Sequence, residues 1–430
     1  MGIDLGRYSP GVLRKIVYAG AKESFHEAAR SLEELSDLEI SRKEVERTTK
    51  RIGTERLAQR DAEAKAYRDL PLPQKGSSPR DQVPQIAAVG MDGGRYQRIA
   101  DAGDPKPPAE EASGGGRWRE YKAGCLLSLT GESTAEDPCP DVPASLLDPK
   151  RVAKCVGEIK SAAKAEKGRP YDQEPDSSDD EPAGVAPASA ESQAESSRGP
   201  RPRRRPGAPT VLVRSVVASA ATNRVFGEML AAAAWKRGFM AAKRKAFLSD
   251  GAPGNWTVWK CFFPRWTPIL DFIHLMSYIY SAATAGQAKT AGWNCYVRWI
   301  TLAWRGQVTE LLEALGRRAT QLGCPPADAP STDARRVVHD ALRYIESNQA
   351  RMHYDRYRRA GLPITTSHLE STVKQLNQRI KGTEKHWSRP GGEALLQLRA
   401  DYLTDTNPMD AFWTRRQETA TGQRCYSRAA

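Results

Sequence analysis

The chain has no run of eighteen apolar residues, so a membrane-spanning helix is not expected. Its opening residues, MGIDLGRYSP, hold no basic segment followed by an apolar core, which argues against a secretory signal. Cysteine is sparse: seven residues, at 125, 139, 155, 261, 295, 324 and 425, none spaced as C-x-x-C. An odd, scattered set supports neither a zinc ribbon nor a disulfide framework, and a reducing cytoplasm is the expected compartment. Basic residues, by contrast, are in excess. Lys and Arg number 65 against 52 Asp and Glu, a net charge of +13, which favours a polyanionic partner such as nucleic acid.

The 430 residues allow two or three domains with real cores. Residues 1–70 read as a helical unit. Ser9-Pro10 opens a first helix, and Ser24-x-x-Glu27 and Ser41-x-x-Glu44 are capping boxes before the next two. The short SDLEI link has the length of a helix-turn-helix connection. Its third helix would offer Arg42, Lys43, Arg47, Lys50 and Arg51 to a DNA major groove, the plain alternative being a solvated helical hairpin. A Pro/Gly-rich linker at 71–84 follows. Residues 85–98 read as a strand reaching Asp92 and turning at Gly93-Gly94, and 118–129 as a second strand, within a segment 85–130. Residues 131–208, with the acidic DQEPDSSDDE run and the basic RGPRPRRRPG tract, have the composition of a disordered insertion. Order is expected again over 209–271, with strands at PTVLVRSVVASA and KAFLS; 272–362 is helical, and 363–415 carries two helices before a tail at 416–430.

Three acids stand out by context. Asp92 and Asp250 each end an apolar strand beside glycine, and Glu370 opens a helix. Carboxylates at the rim of a sheet, joined by one from a helix, make an all-oxygen set suited to magnesium. Two such ions, roughly 4 Å apart, suit phosphoryl transfer. Singly, each acid reads more simply as a turn or cap residue; their order along the chain is what favours a metal site. In the Glu370 helix, Leu369, Val373, Leu376 and Ile380 form an apolar stripe, with Glu370, Lys374, Asn377 and Lys381 on the adjoining face. That face could hold ions and flanking phosphates, or carry an ordinary Glu370–Lys374 pair.

MDGGRYQR (91–98) with WREYKAG (118–124), LSDGAPGNW (248–256), ILDFIHL (269–275), LESTVKQLNQRIKGTEKHWS (369–388) and LQLRADYL (396–403) occur in this order. In these segments the chain resembles bacterial insertion-sequence transposases of the DDE class, most closely the ISKra-type group. The resemblance covers roughly 85–130 and 210–415. It implies an α/β fold: an RNase H-like catalytic core interrupted by a helical insertion, preceded by an all-α helix-turn-helix-like DNA-binding unit. Carried over, the metal-binding catalytic triad is Asp92, Asp250 and Glu370, holding two Mg2+ ions with Mn2+ as a substitute. The resemblance further implies cleavage at element ends and strand transfer into target DNA by at least a homodimer, in a bacterial cytoplasm and on the nucleoid when bound to DNA. Lys374, Arg379, Lys381 and Lys385 would then hold phosphates, and Trp387 would stack on a displaced base unless it is a core tryptophan. Competing expectations are a nuclease of the same fold that cuts without joining, and an inactive, domesticated transposase that only binds DNA.

Asp271 and His274 lie 21 residues past Asp250 and fit an accessory Asp-x-x-His spacing found in several transposase families. They are expected to fix the junction between the catalytic strand edge and the helical insertion. The plain alternative is a helix N-cap with an incidental histidine.

Overall fold

The computed structural model describes residues 8–79, 83–99, 118–166, 205–382 and 385–418. The expected α/β class holds, with helices around one mixed sheet. Strand β1 (Ile86–Arg98) lies at its centre. β2 (Trp118–Thr130) pairs antiparallel with β1, and β3 (Thr210–Ser219) antiparallel with β2. On the other side β4 (Arg244–Ser249) runs parallel to β1, and β5 (Thr267–Leu270) parallel to β4. The two-residue β6 (His386–Trp387) pairs with the far end of β1 at Gln97 and Arg98. The first half of β1 is small, apolar and buried at every position from Ile86 to Met91, as a strand covered on both faces must be.

The turn expected at Gly93-Gly94 is absent. β1 continues through both glycines in register with Lys122 and Tyr121. The reason is space, not bending: a Cβ on Gly94 would stand 2.6 Å from the Tyr121 hydroxyl oxygen, so the glycine lets that ring lie over its own strand partner.

The N-terminal helices are α1 (Pro10–Lys22), α2 (Phe25–Ser36) and α3 (Arg42–Asp69), followed by one turn, α4 (Leu72–Lys75), in the expected linker. Ser24 and Glu27 form the reciprocal capping box, with Ser24 Oγ accepting from Glu27 N at 3.1 Å and Glu27 accepting from Ser24 N at 3.3 Å. Ser41 Oγ likewise accepts from Glu44 N. These helices share their core with the end of the chain. Leu13, Val17, Ala21 and Ile52 pack with Leu398, Met409, Phe412 and Trp413.

Within 131–208, α5 (Pro149–Glu166) is helical, while 167–204, with the acidic run and most of the Arg/Pro tract, lie outside the described residues. Asp148 Oδ1 caps α5 by accepting from Lys150 N and Arg151 N. The loop before α5 is strapped down. Arg358 forks onto Asp137, Trp304 donates to the Cys139 carbonyl, and Tyr296 to that of Leu146. Beyond β3 come α6 (Asn223–Lys236) and, after β4, α7 (Pro253–Phe262). Five helices fill the stretch after β5: α8 (Phe272–Thr284), α9 (Lys289–Trp304), α10 (Val308–Leu322), α11 (Ala334–Asn348) and α12 (Tyr354–Arg359). The chain then returns to the sheet with α13 (Ser367–Ile380), α14 (Arg389–Tyr402) and α15 (Pro408–Glu418).

Helix α13 lies across the centre of the sheet, where its apolar stripe at Leu369, Val373, Leu376 and Ile380 is buried as the spacing predicts. Leu369 fills the space above Gly90, and Asn377 Oδ1 accepts from the Tyr121 hydroxyl at 2.7 Å. The opposite face carries α6, whose Leu230 and Phe226 close over Gly124.

Candidate active site

Met91 of β1 is in register with Ser249 of β4 in a parallel pair. The residues that follow are Asp92, which lies within β1 and not at the strand end expected from the sequence, and Asp250, just past the end of β4. Side chains alternate along a strand, so Asp92 shares its face with Gly90, the face that α13 covers.

The carboxylate of Asp250 is fixed by its own turn. Its Oδ1 accepts from Ser249 Oγ at 3.0 Å, Ala252 N at 3.1 Å and Asn255 Nδ2 at 3.1 Å. Asn255 also reaches the Met91 carbonyl at 3.3 Å, which links the start of α7 to β1. Gly251 makes the turn with φ +99°, open to glycine and strained for other residues, and a Cβ there would meet the Tyr344 ring at 2.8 Å. Tyr344 donates to the Asp250 carbonyl at 2.5 Å and stacks on Tyr278, centroids 3.8 Å apart and planes 9° from parallel. Asp92 Oδ1 accepts from Gly93 N at 2.7 Å.

Glu370, in the first turn of α13, is half-buried. Its Oε1 is shut off from solvent and has no hydrogen-bond partner among the described residues. Burial raises its pKa, Asp271 adds to the effect, and His274 and Lys374 oppose it. Beside it, Asp271 is fully buried and caps α8: its Oδ2 accepts from His274 N and lies 2.8 Å from His274 Nδ1. Its Oδ1 accepts from Thr366 N at 2.7 Å, directly before α13, and its own N–H extends the sheet onto the Ser249 carbonyl. Asp271 and His274 are thus in contact, and Asp271 is the N-cap that the alternative reading gave it. Asp271 ties three elements together: the end of β5, α8, and the helix bearing Glu370.

Burial alone would raise the Asp271 pKa, but the His274 bonds and charge and the Thr366 N–H outweigh it and hold the carboxyl below its ordinary value. Burial alone would lower that of His274. Asp271 outweighs this, with Asp250 and Asp92 adding their charge, and pushes the imidazole up to about 10. Asp271, His274 and Glu370 each offer a ligand atom within 4.8 Å of the others, a group that could hold a metal ion. Asp92 and Asp250 are not part of that group, although their charge reaches His274.

The expected DNA contacts fall into two sets. Arg42, Lys43 and Lys374 are exposed, Lys374 standing 3.6 Å from Glu158. Arg47, Lys50 and Arg51 each pair with a glutamate of their own helix: Glu44, Glu46 and Glu55. Lys381 reaches over the Trp118 ring, and Lys385 donates to the Gln378 carbonyl. Two expectations fail on burial. Arg379 is 2% exposed, donates through Nε and Nη2 to the Gly20 carbonyl and lies 4.5 Å over the Phe25 ring. Burial lowers its pKa to about 10. Trp387 is 6% exposed, donates to the Ile380 carbonyl at 2.9 Å and packs edge-on against Phe25. Neither side chain is available to a phosphate or a base in this conformation.

Sequence reasoning missed α5 as a neighbour of the site. Glu158 faces Lys374, and burial, with the charges of Glu370, Glu158 and Asp271, raises the Cys155 pKa. The signal was there: Asp148-Pro149 is a helix start, and Val152 and Val156, both buried, have helical spacing. The sequence matches no protein-family model and no curated protein.

Proposed function

We propose that this chain is a DDE transposase with an RNase H-like core, which cleaves DNA at the ends of an insertion sequence and transfers the strand to target DNA. The observation that carries the reading is the position of two aspartates on neighbouring parallel strands, Asp92 within β1 and Asp250 just past the end of β4, with a helix over the sheet whose glutamate has a buried oxygen lacking a partner among the described residues. A sheet in which three antiparallel strands lie on one side and two parallel strands are added to the first suits an RNase H-like core. The long helical stretch between Asp250 and Glu370 suits the same family's insertion.

Asp92, Asp250 and Glu370 fit Mg2+, since all three are hard oxygen donors and Glu370 Oε1 has no hydrogen-bond partner among the described residues. Magnesium bound there supplies activation of an oxygen nucleophile and neutralisation of charge on the phosphodiester. The protein's own part is positioning. Asn255 and the Gly251 turn hold the Asp250 carboxylate, and Asp271 fixes the start of the Glu370 helix. His274 keeps a positive charge among four carboxylates that would otherwise repel one another. Lys374, Lys381 and Lys385 on and after α13, with Arg42 and Lys43 at the start of α3, supply cations for double-stranded DNA. Pairing of two element ends would require at least a dimer, in a bacterial cytoplasm.

The test is cleavage and joining of labelled element ends in Mg2+ or Mn2+. The wild type should cut and join, and Glu370→Gln should bind the ends but do neither. Hydrolysis without joined product would replace transposase by nuclease, and binding without cleavage by the wild type would leave a DNA-binding protein.

A further inference from the structure

Helix α5, between β2 and β3, borders the candidate active site and has no part in the function proposed above. It packs against α8 and turns Val152 and Val156 inward, with Cys155 and Ile159 half-buried beside them. Its Glu158 lies 3.6 Å from Lys374, which follows Glu370 by one turn of α13, and the charges of Glu370 and Asp271 reach Cys155. Helix α13 is therefore flanked by α5 along its first half and by α1 at its last turn, where Arg379 meets the Gly20 carbonyl.

The outer side of α5 is open. Lys150, Lys154, Gly157 and Ser161 recur at i, i+4, i+7 and i+11, are all exposed, and so share one face, with Arg151 exposed at its edge. Over residues 149–161 the charges are Lys150, Arg151, Lys154 and Lys160 against Glu158 alone, and Glu158 is turned to Lys374. The side chains of Lys150, Arg151 and Lys154 make no hydrogen bond or ion pair among the described residues. On α3, by contrast, Arg47, Lys50 and Arg51 are each neutralised by a glutamate of their own helix. A cationic face without such compensation is complementary to a polyanion. Gly157 is a second, independent sign. Glycine inside a helix is destabilising relative to alanine, so a position that holds one needs a reason. At Gly90 and Gly124 the reason is a neighbouring side chain, whereas a Cβ on Gly157 would meet nothing within 4 Å. The space that Gly157 leaves opens outward, between Lys154 and Ser161 on the same face.

We propose that the outer face of α5 lies against the sugar–phosphate backbone of duplex DNA beside the active site. Lys150, Arg151 and Lys154 take phosphates, the Ser161 hydroxyl donates to another, and Gly157 marks where the strand passes closest to the helix. The inference rests on the DNA chemistry proposed above and adds to it a surface that uses none of the residues named there.

The probe is a fluorescein-labelled duplex of mixed sequence, titrated with the full chain in EDTA at several KCl concentrations and read by anisotropy, so that binding is measured without cleavage. Replacing Lys150, Arg151 and Lys154 together by alanine should lower the slope of log K against log [KCl] by about two to three, at about 0.9 per phosphate, with the melting temperature unchanged. Gly157→Leu keeps every charge but holds the strand away. It should weaken binding about tenfold or more while far-ultraviolet circular dichroism stays the same. Duplex binding by the wild type with an unchanged slope in the triple variant, or with full affinity in a folded Gly157→Leu variant, overturns the role of α5 and leaves the DNA reading standing. Absence of duplex binding by the wild type overturns both.

Discussion

Asp271 accepts the backbone N–H of Thr366 across 95 positions of sequence, at 2.7 Å. The same carboxylate caps α8 and holds His274, so one buried side chain sets where the chain leaves the sheet and where it comes back with Glu370. Asp271→Ala would leave the Thr366 and His274 N–H groups without an acceptor and His274 without its counter-charge. It should cost about 3–5 kcal/mol, the range for breaking a buried pair, measured by urea denaturation. A loss under about 1 kcal/mol would show that the link is dispensable.

The pair also sets a pH dependence. The His274 pKa is raised in the folded state, so its contribution is complete below the unfolded value of about 6.5 and is lost as pH rises through about 10. That of Asp271 is lowered, so its contribution is present above the unfolded value of about 3.9 and is lost in more acidic solution. Unfolding free energy measured from pH 6 to 10 should fall in the wild type, and fall less in His274→Gln. At about 1.4 kcal/mol per pKa unit, the difference is of the order of a few kcal/mol. Parallel curves for the two proteins would remove His274 as the titrating group.

Glu370→Gln separates function from folding. An amide removes the charge that burial disfavours, so stability should hold or rise by about 1 kcal/mol. Cleavage of element ends should fall by at least about a hundredfold, since a ligand to the metal is weakened. Parent-level cleavage by this variant in Mg2+ would show the triad to be wrong.

Arg379 and Lys381 should part company in the same way. Arg379→Met removes a buried cation from the Gly20 carbonyl and the Phe25 ring, and should lower stability by about 2–4 kcal/mol without changing DNA affinity per folded molecule. Lys381→Ala should leave the melting temperature alone and reduce the salt dependence of DNA binding by about one counterion. Equal losses of affinity in both variants would return Arg379 to the DNA surface.

Much of this arrangement was legible in the sequence because it is local. The Ser24–Glu27 capping box and the stripe of Leu369, Val373, Leu376 and Ile380 depend on neighbours a few residues apart. Asp250 and Glu370 could be picked out by their places after a strand and in the first turn of a helix, whereas the strand end expected at Asp92 is absent because β1 runs on to Arg98. What was misread depends on partners far along the chain. Gly93-Gly94 carries the sign of a turn, but the Tyr121 ring across the sheet is what requires a glycine at 94. Arg379 stands three residues from Leu376 and so belongs to the buried stripe by spacing; its charge concealed this, since the Gly20 carbonyl that receives it lies 359 positions away. Trp387 looked equally suited to a base and to a core until Phe25 and the Ile380 carbonyl were seen to hold it. Composition alone made 131–208 a disordered insertion, although Asp148-Pro149 and the valines after it are ordinary helix signals.

The shared core of Leu13, Val17 and Ile52 with Leu398, Phe412 and Trp413 also sets the order of events at the ribosome. The first helix is made early and α2 and α3 cover part of its apolar side, but Leu13 and Val17 gain Phe412 and Trp413 only when nearly the whole chain has emerged. At about 5–20 residues per second, that is a wait of tens of seconds with greasy surface in the open. A fragment ending before residue 398 would leave Leu13, Val17 and Ile52 without that part of their cover.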